Sequence, residues 1–218
     1  METHLQTLML QPHPDTPPRA VASVLCSLSF AHDGSWVANY IVGCPPSALA
    51  LPEPTDGDRV DGLWRSTCFE LFVRAGERAQ YREFNFASSG QWAAYDFDDY
   101  RAGMRNAPVG NPRIFTADPD QFDRSMRGRL CDMGLDPQSI DALMSAKPDL
   151  PVTPSQFALS AQLDDGPSQP GPWRLALSAI IEEKDGTKSY WALAHPPGKP
   201  DFHHPDCFAL TLEAPDAA

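Results

Sequence analysis

Positive charge is scarce in this sequence. Seventeen lysines and arginines stand against 29 aspartates and glutamates, a formal net charge of −12 over 218 residues. That field repels a phosphate backbone and an anionic lipid surface, so neither nucleic acid nor membrane is an expected partner. Long apolar runs are missing too. The opening METHLQTLMLQPHPDTPP has no basic leader and no apolar stretch, and no later segment approaches a membrane span, so the expected compartment is the cytoplasm. The five cysteines (Cys26, Cys44, Cys68, Cys131 and Cys207) are odd in number, widely spaced and without a C-x-x-C pair. They speak for reduced thiols, with Cys68 and Cys207 as small apolar residues inside strands. No glycine-rich phosphate loop, G-x-S-x-G or H-E-x-x-H occurs. Ser66 and Ser89 have no marked partner, so nothing indicates a hydrolytic triad.

Proline and aromatic residues are abundant: 23 prolines, 11 phenylalanines and five tryptophans, in a chain that is 42% apolar. The prolines predict many loops and the aromatics a bulky core. Apolar residues recur mostly with period two in short segments bounded by turn residues, the pattern of antiparallel strands. SVLCSLSF and WVANYIVGC flank Asp33-Gly34, a hairpin signal. A long proline- and glycine-rich loop from Pro45 to Gly62 follows, of a length often tied to function. Next come strands Cys68 to Arg74, Gln80 to Ala87 and Gln91 to Phe97, the last two joined by ASSGQ. Alternation puts Phe69, Leu71, Val73, Phe84 and Phe86 on a core face and Glu70, Glu83 and Asn85 on the other. Trp92 and Asp96, opposite Tyr95 and Phe97, are assigned to that second, polar face.

Helical spacing replaces the strand pattern between Pro119 and Ala146, where two short helices are expected as an insertion. Strands resume with SQFALSAQL, WRLALSAIIEE, SYWALAH and CFALTLE, before an alanine-rich tail. About ten strands with one helical insert predict an antiparallel β-sandwich, one domain over residues 1–218 carrying the insertion at 119–146.

The densest chemistry lies in AHPPGKPDFHHPDCF, Ala194 to Phe208. Asp201, His203 and Asp206, with His195 nearby, could ligate a metal, but the spacing matches no closed zinc pattern, and hydrogen bonding within a proline-stiffened loop is the simpler reading. Glu70, Glu83 and Asp96 could hold a hard cation such as calcium, or form the solvated face of a half-buried sheet. Trp36 and Trp173 read as core. Trp64, Trp92 and Trp191 read either as packing or as rings that stack on a flat ligand.

LWRSTCFELFV and YREFNFASSGQWAAYDFDDYRAGM, taken with YWALAHPPGKPDFHHPDCFALTLE, resemble the DOMON-like group related to family 9 carbohydrate-binding modules. The resemblance covers Leu63–Met104 and Ser178–Glu213, is fainter over the first strands and fails across the insert. It implies a jelly-roll β-sandwich that binds a ligand without catalysis. It also implies that Trp64 forms one wall of a sugar site, that Phe202, His203 and His204 replace the second aromatic wall, and that Glu70 and Asn85 contact the sugar. Related proteins that bind haem are generally exported and use methionine with histidine or lysine. Met104 and the loop histidines match that pattern less well than the sugar pattern.

The sequence therefore predicts a non-enzymatic protein for a carbohydrate or sugar-containing metabolite. The expected ligand-binding residues are Trp64, Arg65, Glu70, Asn85, Trp92, His195, Lys199, Phe202, His203 and His204. Arg65 and Lys199 favour a phosphorylated or acidic sugar. No cofactor is expected, a bound divalent cation is left open, and haem ranks below sugar. Two rivals stand beside this reading: a metal-dependent enzyme centred on the 195–204 loop, and a module that grips a protein partner through the insert and the proline loop.

Overall fold

The computed structural model describes residues 3–4, 7–30, 34–117, 136, 138, 156–164 and 171–212. Apart from residues 136 and 138, the expected insertion at 119–146 lies outside these, as does the alanine-rich tail. The strands are β1 (Thr3–His4), β2 (Leu8–Pro12), β3 (Val24–Phe30), β4 (Trp36–Val42), β5 (Cys68–Ala75), β6 (Tyr81–Phe86), β7 (Trp92–Phe97), β8 (Arg105–Asn106), β9 (Arg113–Ala117), β10 (Phe157–Leu163), β11 (Trp173–Glu182), β12 (Lys188–Ala192) and β13 (Leu210–Leu212). Single 3-10 turns occur at Pro46–Ala48, Leu63–Arg65 and Pro205–Cys207. No helix among the described residues is long and apolar enough to cross a membrane.

The strand ladders are antiparallel and run β8-β7-β6-β5-β11-β12-β2-β3-β4-β10-β9, with β1 on β3 and β13 on β11. β2 is the corner. Leu8–Leu10 pair with β3, while Gln11 and Pro12 pair with Ala192 and Trp191 of β12. The sheet curls there and its two halves face each other, as in a β-sandwich. Contacts cross the gap: Tyr40 and Phe69 rings lie 5.1 Å apart, Trp36 and Trp173 5.3 Å, and the Tyr40 hydroxyl donates to the Glu70 carbonyl at 2.6 Å. Alternation explains this interior. Every second residue of β3, β4 and β10 meets Phe69, Leu71 and Val73 of β5, Phe84 and Phe86 of β6, and Leu175, Leu177, Ala179 and Ile181 of β11.

The second half carries a further core on its outer face. There Cys68, Phe72, Tyr81, Tyr95, Phe97, Ala176 and Ile180 pack under Leu63, Phe202, Cys207 and Phe208 from two loops. The face that alternation marks as polar is therefore roofed. Glu70 and Glu83 are 3% and 4% exposed, and Asn85 is fully buried. Cys207 lies in the last 3-10 turn rather than in a strand. The four described cysteines (Cys26, Cys44, Cys68 and Cys207) are buried free thiols.

Candidate functional site

Two local features position the floor of the site. Gly90 takes a left-handed φ of 87° in the β6–β7 turn, where Ala87 N–H donates to the Gln91 carbonyl. This three-residue loop sets Phe86 opposite Trp92, Asn85 opposite Ala93 and Glu83 opposite Tyr95. Trp92 and Asp96 thus point to the interior of the sandwich, which corrects their assignment to the polar face. Trp92 is 3% exposed, and Arg59 lies 5.3 Å over its ring. Asp96 is held at 2.6 and 3.0 Å by Arg82, so Glu70, Glu83 and Asp96 do not share a face for a cation. Trp191, opposite Ala179, is also interior.

The second feature is Gly62, whose φ of 83° starts the Leu63–Arg65 turn and lifts Trp64 over the outer face. Trp64 meets Tyr95 edge-on at 5.9 Å. Between this turn and the 195–208 loop lies a cavity of about 300 Å³, lined by Trp64, Glu70, Glu83, Phe97, Arg101, Met104, Ile180, Tyr190, Pro200, Phe202 and His203. That volume is at the lower end of the range for small-molecule sites.

Three separate hydrogen-bonded groups make up the floor. Ser178 donates to Glu70 Oε2 at 3.0 Å, Asn85 Nδ2 to Glu83 Oε1 at 2.6 Å, and the Cys68 thiol to Asn85 Oδ1 at 3.5 Å. Glu83 Oε2 lies 3.7 Å from His203 Nε2, beyond hydrogen-bond range. His203 Nδ1 is 2.7 Å from the Tyr81 hydroxyl, which accepts from Arg101 N–H at 3.2 Å. The tyrosine hydrogen is then free to donate to Nδ1, leaving Nε2 as an N–H beside Glu83.

Burial sets the protonation of this cluster. It pushes the Glu83 carboxyl up to about 7, against the hydrogen bond from Asn85 and the charge of Arg101. Burial, reinforced by the charge of Glu83, holds the Glu70 carboxyl well above its usual range. Burial and then the Arg101 charge lower His203 to about 4, so its ring is neutral near pH 7. Burial raises the Tyr81 hydroxyl to about 12.

The rim is clasped. Arg101 has a left-handed φ of 52°, uncommon for a residue with a side chain. Its guanidinium bonds Asp201 Oδ1 at 2.7 and 3.2 Å, and the Tyr100 hydroxyl donates to Asp201 Oδ2. Both arms are exposed, and such pairs contribute about 0–1 kcal/mol. Asp201→Ala is therefore expected to leave the melting midpoint nearly unchanged while raising amide exchange across residues 98–104. Unchanged exchange there would show that the clasp does not hold the rim.

The expected site residues separate cleanly. Trp64, Glu70, Phe202 and His203 line the cavity, and Asn85 supports Glu83 from below. Arg65 is exposed and folds back towards Gly62, while its carbonyl accepts from Lys188. Lys199 is exposed and outside the cavity wall. His195 Nε2 sits 2.8 Å from the Gln11 carbonyl, its ring edge-on to His13. His204 caps the last 3-10 turn by accepting from Asp206 N–H. The loop histidines thus have three separate jobs, and no cluster of three or more metal-ligating side chains occurs among the described residues.

Glu83, Arg101, Met104 and Tyr190 line the cavity without having been among the expected sugar-binding residues, Glu83 and Met104 having been considered only for a cation and for haem. For Glu83 the signal was present, since it shares parity with Asn85. A larger cavity of about 570 Å³ lies by Arg78, Arg82 and Arg105. Arg82 and Arg105 are already paired there with Asp96 and Asp98, so the smaller cavity, where buried polar groups converge, is the better candidate.

No family model and no curated protein matches this chain. Among solved structures it is similar to a protein from Bacteroides uniformis ATCC 8492 that has been proposed to bind carbohydrate. The TM-score is 0.55 at 12% identity, over 93% of this chain and 83% of that one. At that identity the likeness is one of fold.

Proposed function

We propose that this chain is a non-enzymatic carbohydrate-binding protein, with a sugar or sugar-containing metabolite held in the cavity between Trp64 and the 195–208 loop. The observation that carries this is the cavity itself: an indole and three other rings line it, and Glu70, Glu83 and His203 converge on its floor. Sugar recognition needs that combination, an aromatic face for the C–H side of the ring and buried acceptors and donors for its hydroxyls. The fold shared with a protein proposed to bind carbohydrate supports the same reading. So does the resemblance to DOMON-like proteins and family 9 carbohydrate-binding modules, which would make the curled sheet a jelly-roll sandwich. We place the protein in the cytoplasm, as one domain with its insertion at 119–146.

A thermal-shift screen of sugars, sugar phosphates, nucleotide sugars, haem and divalent metals tests the proposal. A ligand that binds the native state raises its midpoint by mass action. One sugar class is expected to give a saturable shift that drops sharply in Trp64→Ala, with affinity weakened about tenfold, or about 1.4 kcal/mol. A shift with a transition metal alone would favour the metal-dependent enzyme instead.

A further inference from the structure

Resting on the carbohydrate reading of this cavity, we infer that its ligand carries a primary ammonium group: an amino sugar, rather than a neutral, phosphorylated or acidic one. Glu70 and Glu83 are 3% and 4% exposed and both line the cavity. Each leaves one carboxyl oxygen without a hydrogen bond among the described residues, Oε1 of Glu70 and Oε2 of Glu83. A buried carboxylate that lacks a counter-charge is costly, and the described residues supply none in contact. Arg101 is the cation on the lining, and its guanidinium is spent on Asp201.

The walls agree with the floor. Trp64, Phe97, Tyr190 and Phe202 surround the space, and aromatic faces attract a cation. An ammonium offers three donors and no acceptor, which complements two unpartnered carboxyl oxygens. The basic residues that would favour a phosphate or an acid, Arg65 and Lys199, are exposed outside the cavity wall.

Ammonium binding also changes the protonation of the floor. The groups facing the carboxyl pair are Cys68 beside Glu70, Tyr40 on β4 across the interior, Tyr81 on the same strand as Glu83, Tyr95 on β7, Tyr190 on β12, Arg101 on the rim, and Asp201 and His203 on the loop. A cation seated between the two acids draws a proton off the pair into solvent, whereas a neutral sugar leaves it in place.

The test is calorimetric titration with matched triplets: glucosamine, galactosamine and mannosamine, each beside its N-acetyl form and its parent hexose. Ethanolamine serves as a primary amine without a sugar ring, and choline as a cation with no N–H to donate. At about pH 6.5 the sugar amines are charged and the pair still holds its protons. In at least one triplet the amine is expected to bind about tenfold or more tighter than both neutral forms. It should release close to one proton, read from the dependence of the heat on buffer ionisation. Glu83→Gln, checked for folding by its melting curve, should lose that preference and the proton release. Equal binding of neutral and amino sugars, or an unaltered preference in Glu83→Gln, overturns the ammonium inference and leaves the carbohydrate reading standing. Binding of ethanolamine without any sugar upholds the primary ammonium and contradicts the carbohydrate, whereas choline bound as tightly overturns the primary ammonium. Binding by none of these probes overturns the ammonium inference, and the carbohydrate reading falls with it if the thermal-shift screen is silent as well.

Discussion

Trp92→Ala is expected to lose about 3–5 kcal/mol of stability, while Trp64→Ala loses about 1 kcal/mol or less. The two indoles lie on opposite faces of the same half-sheet. Trp92 is 3% exposed, set opposite Phe86 and packed into the core between the halves. Removing it leaves a void that rigid strands on both sides cannot fill. Its indole N–H has no hydrogen-bond partner among the described residues, so the ring is there for its volume, and Trp92→Phe should cost much less than the alanine. Trp64 is half-buried on a 3-10 turn at the lip of the cavity, against Tyr95. Urea unfolding of the three variants measures this. A near-neutral Trp92→Ala would mean that the β6–β7 register is wrong.

Glu83→Gln should change nothing below about pH 4.5 and stabilise the protein by on the order of 3 kcal/mol above about pH 7. In the folded chain the carboxyl titrates at about 7, against an ordinary 4.5. Below the lower value both folded and unfolded states hold the proton. Between the two, the folded state keeps a proton that the unfolded state has released. Stability present at low pH is therefore lost as pH rises through 7, and the amide escapes that loss. His203 runs the other way. Its folded value of about 4 lies below the ordinary 6.5, so stability is gained as pH rises from 4 towards 6.5. In the unaltered protein the two trends oppose each other over that interval. In Glu83→Gln one of the two carboxyl losses that oppose His203 is removed, and chemical denaturation across the range should show stability falling less steeply with pH than in the unaltered protein. Glu70, raised first by its own burial and then by Glu83, adds a loss in both proteins. A difference between the two proteins that does not grow with pH would place the Glu83 carboxyl in contact with water.

Much of the fold was legible from period-two alternation. The expected strands Cys68 to Arg74, Gln80 to Ala87 and Gln91 to Phe97 fall within a residue of those observed. Alternation also separated Phe69, Leu71 and Val73 from Glu70. It did not set the register across ASSGQ. A two-residue loop there would have put Trp92 on the same face as Glu83 and Asn85, and the three-residue loop puts it on the other; a slip of one residue moves every side chain across the sheet. Burial of the carboxylates was also hidden, because Phe202 and Phe208 roof that face from a loop far away in sequence. The histidine loop was legible as a wall, since Phe202 and His203 line the cavity. That His195 and His204 serve neighbouring backbone instead depends on turn geometry that spacing alone does not specify. Arg65 and Lys199 looked like ligand cations because charge is visible in a sequence and direction is not.

The most direct measurement is a crystal structure of the protein with the sugar that gives the largest thermal shift. The account predicts one ring laid on Trp64, with polar atoms about 3 Å from the free oxygens of Glu70 and Glu83 and from His203 Nε2. A sugar bound instead among Arg78, Arg82 and Arg105, with the Trp64 cavity empty, would contradict it.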